Sequence, residues 1–98
     1  MTIEKAKEGE QCTLKISGRL DTTTAPQLEV QVNTLEDDIN DLSLDLAELE
    51  YISSAGLRVI LAAHKKMNNK GKMTVKNVNE VVMEVFDITG FADILTIK

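Results

Sequence analysis

A chain of 98 residues and 10.8 kDa keeps roughly 5,500 Å² of surface when folded, enough for one modest core spanning residues 1–98 and too little for a second domain. Phe86, Phe91 and Tyr51 are its only aromatic residues, so the stacking platforms of single-strand nucleic-acid binding are missing. A formal charge of -5 repels phosphate backbones and excludes direct nucleic-acid binding unless the basic side chains gather on one face.

They do not gather: Lys65, Lys66, Lys70 and Lys72 form the one local cluster, on a helix end and loop that are ordinarily solvated. A single cysteine, Cys12, cannot form an internal disulfide and fits a reduced compartment. No apolar run approaches the roughly 20 residues that span a bilayer, and the polar start Met1–Glu10 has no signal-peptide core. A cytoplasmic protein with no membrane partner is the expectation.

In chain order, Ile3 and its neighbours predict a first strand, with Glu8-Gly9-Glu10 as a turn. Cys12, Leu14 and Ile16 then alternate with Thr13, Lys15 and Ser17 up to Gly18, the period of a half-buried strand. Thr24 occupies an N-cap position, Pro26 the first turn and Gln27 the capping-box position, so a helix starts here. Its stripe of Ala25, Leu28, Val32, Leu35 and Ile39 carries it to just before Asn40-Asp41.

Leu42, Leu44 and Leu46 alternate with polar or small residues, and after a short polar link Tyr51-Ile52 extends a second strong strand toward Ser53. From Ala55 to about Met67 a helix places Leu57, Ile60, Leu61, His64 and Met67 on one face, widened by Val59, Ala62 and Ala63, until Asn68-Asn69-Lys70-Gly71 stops it. Met73 and Val75 mark another short strand. Asn79 caps a helix with Val82, Val85 and Phe86 inward, and Gly90 ends it. Phe91–Ile97 fits either a strand or a helix. Strands alternating with helices define an α/β domain with a mixed or mainly parallel sheet.

Common cofactor chemistry has no support, for there is no Gly-rich phosphate loop, no paired cysteine and no His-rich pattern. His64 reads as a packed or partly exposed helix side chain, and Asp45 as an outward strand residue or an acid near a junction. Ser53-Ser54, between strand and helix, lies where open α/β sheets present their functional residues. Three readings of the pair remain: a helix cap, a phosphate or phosphoserine site, and a nucleophile. The last lacks Gly-x-Ser-x-Gly and a nearby acid motif.

Three segments in order, Gly18-Arg19-Leu20-Asp21, Tyr51-Ile52-Ser53-Ser54-Ala55-Gly56-Leu57-Arg58-Val59 and Phe86-Asp87-Ile88-Thr89-Gly90-Phe91, resemble the STAS domain family of bacterial anti-sigma factor antagonists over nearly the whole chain. The resemblance implies a small mixed sheet covered mainly on one side by helices. It implies a binding protein without cofactor or catalytic residues, monomeric when free, that holds an anti-sigma factor, commonly a serine kinase of the histidine-kinase-like type, only while unphosphorylated. A phosphatase is a possible further partner. Aligning the family's Asp-Ser-Ser-Gly-Leu places the phosphoacceptor on Ser54, with Ser53 at the acidic position and as the reserve acceptor, and Ala55 in place of the second serine. Asp21, Thr22, Thr23, Ser53, Ser54, Gly56 and Arg58 are the implied partner-binding residues. The alternative is a STAS module that is not phosphorylated and serves as a scaffold or small-ligand sensor in stress signalling.

Overall fold

The computed structural model describes residues 1–98. The chain opens as an antiparallel hairpin of β1 (Thr2–Glu8) and β2 (Gln11–Leu20), turning at Gly9-Glu10 as the sequence predicts. Then come α1 (Ala25–Asn33), β3 (Asp41–Asp45), β4 (Leu49–Ile52), α2 (Ser54–Asn68), β5 (Lys72–Lys76), α3 (Glu80–Thr89) and a 3-10 turn at Phe91–Asp93. The sheet order is β1-β2-β3-β5, antiparallel only at β1, with β4 paired to β2 off this path.

The length of β2 explains that branch. Its residues Gln11–Lys15 lie against β3, and beyond a register shift at Gly18-Arg19 its last residues lie against β4. The predicted single strand from Leu42 to Ile52 is therefore two. Between them Asp45 Oδ1 accepts from the Ala47 N–H at 3.0 Å, and the Leu49 N–H donates to the Leu46 carbonyl at 3.1 Å. This tight turn steps the chain past the irregularity so that both short strands share one edge of β2, and Asp45 serves as its lock.

Cys12, Leu14 and Ile16 of β2, Leu42 and Leu44 of β3, and Met73 and Val75 of β5 are all buried in the core, where the helices gather. The other face is polar: Thr13, Ser43 and Thr74 lie in register across it, flanked by Lys15, Asp45 and Lys76. Helix α1 buries Ala25, Leu28 and Val32 and stops at Asn33, earlier than the stripe predicts, where the Thr34 hydroxyl donates back to the Val30 carbonyl at 2.7 Å. Leu35 and Ile39 are buried all the same, from the segment beyond the helix. That segment is held over β1 by ion pairs of Glu36 with Lys5 and of Asp38 with Lys7, the latter at 3.1 Å. Lys66 of the predicted basic cluster is also structural, since its Nζ donates to the Val32 carbonyl at 2.8 Å near the C-terminal end of α1.

Helix α2 buries Leu57, Val59, Ile60, Ala63 and Met67. Leu61 and His64, placed on that face by the sequence, are only half-buried, and Ala62 is exposed. The buried stripe runs through Gly56 and Ala63, and Gly56 brings the helix start so close to β2 and β4 that an added Cβ would sit 2.6 Å from Leu20 Cγ and 3.0 Å from Ile52 Cγ1. In α3 the Asn79 Oδ1 accepts from the Val82 N–H at 2.9 Å as predicted, while its Nδ2 donates to the Leu49 carbonyl at 2.6 Å and ties the helix to β4. Gly90, at φ +81°, ends it. The segment after it uses both predicted conformations: a 3-10 turn, then a parallel bridge of Ile97 to Val75 that covers part of the free edge of β5. At the opposite end of the sheet β1 pairs only with β2, so the strand Thr2-Ile3-Glu4-Lys5-Ala6-Lys7-Glu8 presents an open edge.

Candidate functional site

Strands β2 and β4 run parallel and finish together, so the β2–α1 turn and the start of α2 meet at one end of the molecule. Ser53 is the N-cap residue of α2, in extended conformation (φ -103°, ψ 176°), with its N–H donating to the Leu20 carbonyl at 2.9 Å. Its hydroxyl is buried and makes no hydrogen bond within the chain, so the cap is positional only. Ser54, the first helical residue, is exposed. No acid occupies the first turn of α2, which leaves its outward N–H groups and positive dipole end uncompensated.

Arg58, one turn after Ser54 on the same side of α2, is exposed and makes no ion pair within 4 Å. Gly56, implied at the partner surface, is buried instead: it sets the position of the first turn and is not available for contact.

In the β2–α1 turn Asp21 is occupied by the fold. Its Oδ1 accepts from the N–H groups of Thr23 at 3.0 Å and Thr24 at 3.1 Å, and its own N–H donates to Thr24 Oγ1 at 2.9 Å. The Thr24 hydroxyl donates to the Arg19 carbonyl at 2.8 Å and does not provide the predicted cap of α1, while the Ala25 N–H goes to the Asp21 backbone carbonyl at 2.8 Å. The Thr24 N–H, and after it that of Thr23, hold the Asp21 carboxyl below the usual carboxylate range, with Arg19 adding to the effect. Thr22 and Thr23 are exposed at the tip.

Two features here escape a reading of the sequence. The Arg19 guanidinium lies 4.1 Å from the centroid of the Tyr51 ring, and its Nε is 3.8 Å from Asp21 Oδ2; the pair forms only because β4 adds beside the end of β2. The second is a notch of about 200 Å³ between α1 and α2, lined by Thr22, Ala25, Pro26, Glu29, Ala55, Arg58 and Val59. Only Thr22 and Arg58 of that lining are among the residues the resemblance implies. A larger concavity of about 770 Å³, bounded by Glu8, Glu10, Asn40, Asp41 and Lys72, sits at the other end of the sheet and has no hydrophobic lining residue.

The chemistry available at this end includes a hydroxyl one helical turn from a cation, with no imidazole near it. His64 follows Ser54 by ten residues along α2, which is about 15 Å of helix rise, too far for proton transfer from the serine. Its Nδ1 is buried and without a partner in the chain.

The fold class is an α/β domain with a mixed five-stranded sheet, and it presents an exposed serine at a strand–helix junction. The STAS domain model matches residues 2–98, and the chain belongs to that family. It is 30% identical over 100 residues to the anti-sigma-B factor antagonist of Staphylococcus epidermidis, covering all of this chain and 93% of that protein. It is 32% identical over 86 residues to the anti-sigma-B factor antagonist of Bacillus subtilis, covering 87% and 79%. Among solved structures, an anti-sigma factor antagonist from Mycobacterium paratuberculosis superposes with a TM-score of 0.88 at 23% identity, covering 98% of this chain and 83% of that one. No helix is long and apolar enough to cross a membrane.

Proposed function

We propose that this chain is an anti-sigma factor antagonist that binds a serine kinase of the histidine-kinase-like type while Ser54 is unmodified, and releases it when Ser54 is phosphorylated. The observation that carries the reading is Ser54 itself: an exposed hydroxyl at the first position of α2, with no acid in the first turn. The names of the relatives at 30% identity and above support an anti-sigma factor as the partner. On this reading the chain is a substrate and ligand, not an enzyme; the kinase supplies ATP and magnesium, a phosphatase resets the switch, and the setting is the cytoplasm.

A phosphoryl group adds about -1.5 to -2 charges and three strong acceptors. At the start of α2 the free N–H groups and the dipole accommodate that charge, so the fold survives modification. The effect falls on the partner, where a buried, mismatched charge costs about 3 kcal/mol, roughly a hundredfold in affinity. Ser54→Ala keeps binding and escapes inactivation, whereas Ser54→Asp binds more weakly. Titration calorimetry of both variants and of the enzymatically phosphorylated protein against the kinase, beside urea denaturation of each, separates affinity from folding. A phosphate that maps to Ser53 moves the site by one residue. A protein that is not labelled, and whose binding ignores ATP, is a scaffold or ligand sensor and not a switch.

A further inference from the structure

The notch between α1 and α2 has a specific shape and charge. Ala25 and Val59, both buried, with Ala55 and Pro26 make an apolar lining, while Arg58 and Glu29 stand exposed at the rim, neither in an ion pair with any other side chain. At about 200 Å³ it is below the roughly 300–1,000 Å³ of small-molecule sites. It is the size of a pocket that receives one side chain at a protein interface, where a few anchored residues carry most of the binding energy. Its place is also fixed: Ala55 follows Ser54 directly, Arg58 is one turn beyond it, and Thr22 belongs to the β2–α1 turn. The notch is thus continuous with the surface around Ser54.

We propose that this notch receives one branched aliphatic side chain of the anti-sigma partner, with a carboxylate of the partner beside it set on Arg58. The proposal rests on the antagonist reading and adds to it the chemistry the partner must present. The choice of an acid over a base at the rim follows from position. Arg58 is adjacent to Ser54 on the helix surface and Glu29 is on the other helix, so an acid on Arg58 is the contact that a phosphoryl group on Ser54 contests most directly. Phosphorylation engages the guanidinium from within the chain and sets about two negative charges where the partner's carboxylate has to lie. The switch then has two parts at one spot, loss of the cation and gain of repulsion, with no movement of the backbone.

Isovalerate, an isopropyl group one carbon from a carboxylate, is the probe that needs no partner. In the unmodified protein it shifts the methyl signals of Ala25, Ala55 and Val59 and the Nε signal of Arg58, saturating in about the tens of millimolar, as its seven heavy atoms allow. The shifts disappear in Arg58→Ala and in the Ser54-phosphorylated protein, and isobutylamine does not reproduce them. Scattered shifts, none up to about 100 mM, or equal binding of the amine overturns the proposal. Against the kinase, Ala55→Leu fills the notch and lowers affinity at least about tenfold with an unchanged urea midpoint, while Lys65→Ala binds as wild type. Full affinity of a folded Ala55→Leu protein that phosphorylation still releases overturns the notch and leaves the switch. Failure of the wild-type chain to bind the kinase, with isovalerate still seated, refutes the antagonist reading and with it the partner named for the notch.

Discussion

Replacing Gly56 by Ala sets two effects of opposite sign against each other. In an ordinary helix interior the change stabilises by about 0.5–1 kcal/mol, because glycine loses more backbone freedom on folding. Here the new Cβ falls 2.6 Å from Leu20 Cγ and 3.0 Å from Leu20 Cδ2 and Ile52 Cγ1. Leu20 is fully buried and Ile52 nearly so, and the 2.6 Å contact is with a branch point in the middle of a side chain, which cannot swing away as a chain end can. Relief has to come from lifting the first turn of α2, and overpacking of this kind costs about 1–3 kcal/mol. The net expectation is destabilisation by about 1–2 kcal/mol, read as a lower urea midpoint at constant slope. A double-mutant cycle isolates the cause. Leu20→Ala alone costs about 2–5 kcal/mol, but in its background Gly56→Ala costs nothing or stabilises, a coupling of at least about 1 kcal/mol. A Gly56→Ala protein as stable as wild type, or additivity in the cycle, refutes the close approach that positions Ser54.

In α2, Ile60→Ala costs about 2–5 kcal/mol, whereas Leu61→Ala, at a half-buried site, costs clearly less; equal losses in urea denaturation would place the helix face wrongly. Asn79→Ala removes the α3 cap and the bond to the Leu49 carbonyl, and loses about 1–2 kcal/mol by the same assay; a loss under about 0.5 kcal/mol rejects the double role. Burial pushes the Cys12 thiol up, so a chromogenic disulfide reagent at pH 8 reacts slowly with the folded protein and fast in urea; equal rates count against its placement. Three carboxyls lie below their usual values: Asp21 through the Thr24 N–H, Glu36 through the Lys5 ammonium, and Asp45 where the Ala47 N–H and Asn77 amide outweigh partial burial that acts in the other direction. The unfolded chain therefore binds more protons in acid, and the stability these groups contribute is complete above the ordinary carboxylate range, near pH 4–5, and lost as pH falls through their lower folded values. A urea midpoint that stays level from pH 6 down to pH 3 contradicts this.

Most elements were legible in the sequence because each is amphipathic with the period of its own geometry. The alternation of Cys12, Leu14 and Ile16, the cap at Asn79 and the break at Gly90 are local signals, and local structure obeys them. The misreadings arise where distant segments decide. Leu35 and Ile39 continue the α1 stripe but are buried from a non-helical segment that Lys5 and Lys7 hold down, and no pattern near Leu35 announces those lysines. The break between β3 and β4 is set by β2, nearly thirty residues earlier, which pairs with both strands and whose Gly18 and Arg19 face Leu49 and Tyr51 with Glu50 left over. At the candidate site, the junction at Ser53-Ser54 could be located from the strand–helix boundary. The notch could not, because Glu29 and Arg58 become neighbours only through the packing of α1 on α2.

The open edge of β1 carries its own protection. Two copies joined edge to edge as antiparallel strands of one continuous sheet are related by a two-fold axis normal to that sheet, and side chains keep to their own face only if the register centres on a residue. Centring on Ala6 sets Glu4 against Glu8 and Lys5 against Lys7, because the segment Glu4-Lys5-Ala6-Lys7-Glu8 reads the same in both directions. Centring on Glu4, Lys5 or Lys7 sets that residue against itself. Each of these registers puts like charges opposite one another, an unfavourable pairing across a strand. The charge pattern that lets Lys5 and Lys7 hold the loop after α1 within one molecule thus also works against the joining of two sheets.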